Sequence, residues 1–459
     1  MRQSEIFLAA GIVLAASPSF AAPINFADFT PLASSVAGGS LPEDKPFQLS
    51  SPSFTQETLN ANNAGPKNGG VRLGDNWDMN TLNETGPDAG RFLFTPYETA
   101  SAGVRRLDVV TGNAETIVAE GTQGFVRGDA SRWTPFGTYL TAEESWGVGS
   151  TKGRLFEVTS PLAAAGATGF VARTIIPRVS HEGLTFDADN NLYFIDENSS
   201  GSIYKYVSDT PNDGATFFTA GKTYVLKATV SGPDATGAAT WEQITNSDGT
   251  ALDAADNVII DANTFVDGRK AADRVGGSAY NRPEDLEIKT VGGVQKLYFA
   301  ATASSTDGAG AVFAIALTDA TNATVTLFAN RDTIKKGTGV AVGLEFLNPD
   351  NLAIDGFGNI YIVEDQPGGV ADIWFAYDID FDGVAEALGR WASLSTLGAE
   401  PTGLYFDPLR SNVAYVNVQH ADSDVDRTIR ISVVPEPVTV SLLLGGMGLL
   451  GGLARRHRA

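Results

Sequence analysis

A strand–turn–strand pattern that recurs along the chain constrains the fold more than any other feature of the sequence. One copy, at residues 181–197, opens with His181-Glu182-Gly183-Leu184-Thr185-Phe186. It turns through Asp187-Ala188-Asp189-Asn190-Asn191 and ends at Leu192-Tyr193-Phe194-Ile195-Asp196-Glu197. A second, at residues 349–365, opens with Pro349-Asp350-Asn351-Leu352, turns through Asp355-Gly356-Phe357-Gly358-Asn359 and ends at Val363-Glu364-Asp365. Looser copies open at Pro283-Glu284-Asp285-Leu286 and at Pro401-Thr402-Gly403-Leu404. Apolar alternation broken by Asp, Asn and Gly turns is a β signal. Two earlier units, opening at Arg91-Phe92-Leu93-Phe94 and at Thr134-Pro135-Phe136-Gly137, fit the same scheme, which makes six units. Sheets repeated radially protect their edges by closing into a ring. The expected fold is all-β, a six-bladed β-propeller over residues 71–433. A pair of β-sandwiches is the alternative, but it leaves the recurring acids unexplained. Residues 22–70, rich in Ser, Asn and Pro, read as an extended lead-in.

Composition narrows the chemistry. None of the 459 residues is cysteine, so disulfides, thiolate metal ligands and cysteine nucleophiles are excluded. The formal net charge of −22 argues against a nucleic-acid partner and is compatible with divalent cations. Three histidines, His181, His420 and His457, are too few for a histidine zinc site once His457 is assigned to the tail. There is no nucleophile elbow, and no phosphate-cradling Gly-rich loop opens a helix.

Both ends carry export signals. Arg2, the apolar stretch from Ile6 to Ala16 and the small residues Ser19 and Ala21 make residues 1–21 a secretory signal peptide. At the other end, Val434-Pro435-Glu436-Pro437 precedes an apolar run at 438–453 and the basic cluster Arg455-Arg456-His457-Arg458. That run is 16 residues long, shorter than the roughly 20 a spanning helix needs. Residues 434–459 resemble a PEP-CTERM sorting signal, which implies processing by an exosortase-type membrane enzyme. An ordinary C-terminal anchor is the alternative. The expectation is an exported monomer at the cell surface or beyond it, with transient membrane association through 438–453.

Repeats place equivalent residues at equivalent points, so the candidate site follows from them. Acids follow the opening residue of three copies (Glu182, Glu284, Asp350), and acids end the second strand of two (Asp196, Glu197, Glu364, Asp365). In a propeller the first strand of each unit lines the central channel, and these acids converge at its mouth. Convergent carboxylates repel unless they share cations, and oxygen donors select calcium or another hard metal. Glu182, Glu284 and Asp350 are therefore expected metal ligands. Asp187, Asp189, Asn190, Asn191, Asp355 and Asn359 are expected only to make turns.

Thr134-Pro135-Phe136-Gly137-Thr138-Tyr139-Leu140-Thr141-Ala142-Glu143-Glu144 resembles a signature of the PhoX-type alkaline phosphatases. His181-Glu182, Arg282-Pro283-Glu284, Pro349-Asp350-Asn351-Leu352 and Val418-Gln419-His420 resemble later signatures of that family, in the same order. The resemblance spans roughly residues 70–430. It implies a six-bladed propeller that hydrolyses phosphate monoesters with a calcium and iron cluster. Carried over, it implies metal-ligand roles for Glu144, Glu182, Glu284 and Asp350, and a phosphate-binding guanidinium at Arg282. The chain departs from the pattern at one point. Active members place a cysteine iron ligand just before the first signature, where this chain has Gly128-Asp129-Ala130-Ser131. Iron is therefore in doubt as a cofactor, and Asp129 is an alternative oxygen donor.

His181 is open to two readings, general acid or ligand on one side and channel-lining hydrogen bonding on the other. His420 reads as a structural or orienting residue. Asp378-Ile379-Asp380-Phe381-Asp382-Gly383 resembles the start of a calcium loop, but its twelfth position is Gly389 instead of Glu, which excludes an EF-hand. A plain turn is the preferred reading there, with a local calcium as the other. Three functions compete: a calcium-dependent phosphomonoesterase acting on a small phosphorylated substrate, a propeller hydrolase of lactonase type, and a non-catalytic calcium-stabilised surface or matrix scaffold.

Overall fold

The computed structural model describes residues 25–144, 150–303, 308–365 and 371–434. The expected signal peptide at 1–21 and, Val434 apart, the expected sorting segment at 434–459 lie outside the described residues. The fold is all-β and propeller-like. Four-stranded antiparallel meanders follow one another along the chain. The first is Thr81–Leu82, Phe92–Pro96, Val104–Asp108 and Ala114–Val118, and the second is Gly128–Trp133, Tyr139–Glu143, Leu155–Val158 and Phe170–Ala172. Two further meanders, from Leu184–Phe186 to Gly221–Ala228 and from Pro283–Val291 to Asn322–Asn330, are fused into a nine-stranded sheet. Their link is the strand Gly237–Gln243, which pairs with Asn322–Asn330. The next meander runs from Pro349–Ile354 to Ala387–Leu394. The last joins Glu400–Phe406, Val413–Gln419 and Arg427–Val433 to the early strand Phe54–Ala61.

The segment before residue 70 is thus extended, but it is also built into the sheets. Phe47–Leu49 pairs with Ala387–Leu394, and Phe54–Ala61 pairs with Arg427–Val433. The early strand thus covers the edge that Arg427–Val433 would otherwise leave open. A single α-helix among the described residues, Gly268–Val275, is capped by the Asp267 side chain and by Gly276 at φ +73°.

Period-two alternation puts apolar side chains on both faces of each sheet, because each sheet is covered on both sides. Leu93 packs with Leu59, Trp77, Leu107 and Tyr415, towards the last sheet. The next residue, Phe94, packs with Trp133, Tyr139 and Phe156, towards the second. Similar cores fill the remaining gaps between neighbouring sheets, ending with Tyr361, Trp391, Phe406, Phe26 and Phe54.

The turn acids hold the repeat together. Asp187 Oδ1 accepts from the Asp189 and Asn191 amides at 2.9 and 2.8 Å, and its Oδ2 accepts from Asn191 Nδ2 and the Tyr193 hydroxyl. Asp355 repeats the arrangement with Phe357, Asn359 and Tyr361. One carboxylate satisfies four donors in each turn, which is why the sequence repeats there.

Candidate metal centre

The inner strands are broken where the site needs them broken. Each of four first strands carries a register shift against its partner, at Gly128/Ser131, Pro283/Leu286, Pro349/Leu352 and Thr402/Tyr405. A bulge bends a strand and re-aims the side chain it carries. Asp129, Glu284 and Asp350 all sit within these bulges and line one cavity of about 210 Å³. Glu182 reaches the same cavity from the stretch just before Leu184–Phe186.

Hydrogen bonds between neighbouring inner strands fix the bulges in place. Asp285 accepts from the Leu286 amide at 2.7 Å and, across the gap, from the Leu352 amide at 3.0 Å. Asn351 Oδ1 accepts from the Gly403 amide at 2.6 Å and from the Thr402 hydroxyl at 2.7 Å. Gly183 lets its strand approach closely: a Cβ there would lie 2.4 Å from Asp285 Oδ1 and 2.4 Å from the Leu286 amide.

A second group of lining residues comes from the exits of the second strands. Glu98, Glu144, Glu197, Asp365 and His420 each stand one or two residues past such a strand and line the cavity. Adjacent acids therefore face opposite ways. Glu143 turns away to a buried bidentate pair with Arg154, Asp196 pairs with Arg269, and Glu364 accepts from the Trp374 indole at 2.9 Å. This corrects the expectation that Asp196 and Glu364 share the mouth. Of each pair only Glu197 and Asp365 do.

Together ten carboxylates line the cavity, with Arg282, Gln419 and His420. Oxygens of Glu182, Glu284 and Asp350 can all lie within 4.8 Å of one another. Burial, reinforced by neighbouring acids, drives several of these groups upward. Asp78 and Glu284 are pushed up to about 7 and Glu98 to about 9, and Asp129, Glu182, Glu197, Asp350 and Glu400 rise well above the usual range. Asp129 Oδ1, Glu197 Oε2, Asp365 Oδ1 and Glu400 Oε2 are buried without a hydrogen-bond partner. Buried, crowded and under-bonded carboxylates call for a counter-charge. Carboxylate oxygens dominate the donor set, which fits hard divalent cations, whereas nothing in it offers iron a thiolate.

Arg282 answers part of that charge. Its guanidinium donates to Glu197 Oε1 at 3.2 and 2.7 Å and lies 3.2 Å from Glu284, and these carboxylates keep it protonated despite burial. Its backbone is left-handed at φ +54°, a strained setting for a side chain, and is held by the Asn198 and Thr302 main chains. His181 lies elsewhere. It is fully buried, stands 5.2 Å from the Phe194 ring and does not line the cavity. Backbone groups of Pro177 and Gly153 are its polar neighbours, and burial lowers its pKa to about 3. It stays neutral and away from the cavity, so the general-acid, ligand and channel-lining readings of His181 have no support in the geometry. His420, expected to be structural or to orient its neighbours, does line the cavity, with Nε2 3.3 Å from Glu400 and 3.8 Å from Glu98.

No curated protein matches the chain. Among solved structures it is similar to an auxiliary nutrient binding protein from Bacteroides ovatus, at 10% identity and a TM-score of 0.45, over 87% of this chain and 76% of that one. It is also similar to an alpha-L-arabinanase from Penicillium chrysogenum, at 10% identity and a TM-score of 0.38, over 78% and 93%. Residues 120–422 match the family model described as alkaline phosphatase PhoX. The matched stretch contains Asp129, Glu144, Glu182, Arg282, Glu284, Asp350 and His420, and it is well over half of the sequence. The chain belongs to the PhoX alkaline phosphatase family.

Proposed function

We propose that this protein is an exported, calcium-dependent phosphoesterase that hydrolyses small phosphate monoesters at the channel mouth of a six-bladed β-propeller. The observation that carries the reading is the convergence of ten carboxylates and one arginine on a single cavity in a chain of the PhoX family. Supporting the blade count, six apolar cores alternate with the meanders, the last of them between Leu59 or Tyr415 and Leu93.

Glu144, Glu182, Glu284 and Asp350 are the proposed metal ligands, with Asp129 giving oxygen where active relatives have cysteine. Bound divalent cations would supply charge to polarise the phosphoryl group. The protein's own groups do the rest. Arg282, fixed by Glu197 and Glu284, presents a planar donor fork to phosphate oxygens. His420, whose pKa burial lowers, stands at the cavity edge beside Glu400, where it can accept a proton from an attacking water. Export, exosortase-type processing, membrane association through 438–453 and a monomeric state belong to the same proposal and rest on the sequence.

The missing cysteine favours one other reading, a calcium-rigidified scaffold without catalysis. Metal analysis paired with phosphomonoester turnover separates the two. Calcium-loaded protein that turns over no phosphomonoester, with or without added iron, would leave the scaffold.

A further inference from the structure

We propose that residues 378–386 form a second Ca²⁺ site, structural in role and separate from the central cavity. The loop joins the strands Asp372–Tyr377 and Ala387–Leu394. Register sets Val363 opposite Ile373 and Ile360 opposite Ala376, so the loop lies at the end of its sheet remote from Asp365.

Counted from Asp378, acids fall at positions one, three, five and nine (Asp378, Asp380, Asp382, Glu386), and a glycine falls at six. Those are the spacings at which a calcium loop takes side-chain oxygens, with the glycine making the sharp turn. The loop is folded accordingly. Gly383 has φ +94°, and oxygens of all four acids can lie within 4.8 Å of one another.

A cluster of surface acids could still be nothing more than a solvated turn. The deciding observation is Asp378. Its side chain is 3% exposed, and neither carboxylate oxygen has a hydrogen-bond partner. An under-bonded carboxylate, aimed at three other acids and shielded from water, is costly unless a cation completes it. Lys289 Nζ pairs with it only at 3.8 Å, beyond hydrogen-bond reach, and donates to the Gly358 carbonyl at 3.0 Å. Lys296 is likewise engaged, donating to the Phe381 carbonyl at 2.8 Å. Four acids against two lysines leave a charge of −2, which one calcium ion balances.

The site would also tie two meanders together. Thr326 donates to the Gly383 carbonyl at 3.1 Å and the Ala385 amide to Phe328 at 2.8 Å, so the loop already rests on the preceding sheet. Lacking a glutamate at the twelfth position, the loop should bind in the weak range of extracellular modules, about 0.1–1 mM.

The test is calcium content by equilibrium dialysis of the whole protein at about 2 mM Ca²⁺, above that range. Asp380→Asn combined with Asp382→Asn, both at exposed positions, should lose one bound ion per chain. Glu386→Gln alone should weaken that ion at least tenfold, and it serves if the double variant misfolds. Glu284→Gln, in the cavity, should leave the loop ion bound. Calcium content equal to wild type in a folded loop variant overturns the site.

Discussion

At the scale of single residues, Arg282 does two things that a substitution can separate. It balances Glu197 and Glu284, and in the proposed phosphatase it also grips phosphate. Arg282→Lys keeps a cation near both acids but loses the fork. We expect calcium content to hold and kcat/KM to fall about 30- to 1000-fold, from roughly 2–4 kcal/mol of lost bidentate contact in the transition state. A variant with wild-type kcat/KM would mean that Arg282 serves the acids alone. The acids themselves predict a pH effect. Glu284 and Asp78 titrate near 7 in the metal-free fold because burial disfavours their charge, against about 4 when unfolded. The folded state therefore binds more protons between those values, and stability falls as pH rises through that window. Chelated protein should melt lower at pH 8 than at pH 5, and calcium should restore most of the loss. A chelated Tm that does not fall with pH would show that these acids are not left to repel. Glu182, Glu284 and Asp350 were legible in the sequence because a repeat marks them. Asp78 precedes the first meander and belongs to no repeat, and Glu400 precedes the opening proline where the other copies carry their acid after it. Glu98 holds the strand-exit position of Glu197, and sheet similarity too faint to align had hidden it.

At the scale of elements, the bulged inner strand is the device that turns a structural repeat into a site. A regular first strand would aim alternate residues into the cores between sheets. The shifts at Pro283/Leu286 and Pro349/Leu352 release Glu284 and Asp350 into the channel instead, while Asp285 and Asn351 stitch neighbouring strands. Gly183 belongs to this stitching. Adding one methyl group there meets Asp285 and the Leu286 amide at 2.4 Å, and backbone cannot move aside cheaply. Gly183→Ala should cost about 1–3 kcal/mol in chemical denaturation and weaken cavity metal binding, since the strand carrying Glu284 must shift. Unchanged denaturation and unchanged calcium affinity would show that the inner strands are not so tightly coupled. Turns were readable because Asp187 and Asp355 repeat a chemistry visible in sequence. The bulges were not, since a register shift depends on how two strands meet and leaves no local residue signature. The same difficulty hid the opposite facing of Asp196 and Glu197, which depends on where the second strand ends.

At the scale of the whole molecule, the sequence pattern carried the all-β, propeller-like character, and the part it did not carry is how the ends meet. Residues 22–70 lack the repeat because they are not a unit of their own. They supply Phe54–Ala61 to the last sheet, and Phe26 and Phe54 to the core around Trp391 and Phe406. Phe54 lies 5.6 Å from Phe26 and 5.7 Å from Trp391, ring centre to ring centre, and is 6% exposed. In a linear array of repeats, damage at one end loosens that end alone. Here the early strand pairs with the last one, so damage on it bears on the packing of the last sheet against its neighbours on both sides. Phe54→Ala should cost about 3–5 kcal/mol, the scale of removing a buried aromatic ring. It should also lower the midpoint of a single unfolding transition followed by both tryptophan fluorescence and circular dichroism. Val110→Ala, at a side chain 74% exposed, should stay within about 0.5 kcal/mol of wild type. If Phe54→Ala instead splits unfolding into two transitions, with one keeping the wild-type midpoint, the sheets melt separately and strand Phe54–Ala61 does not bind them into one cooperative unit.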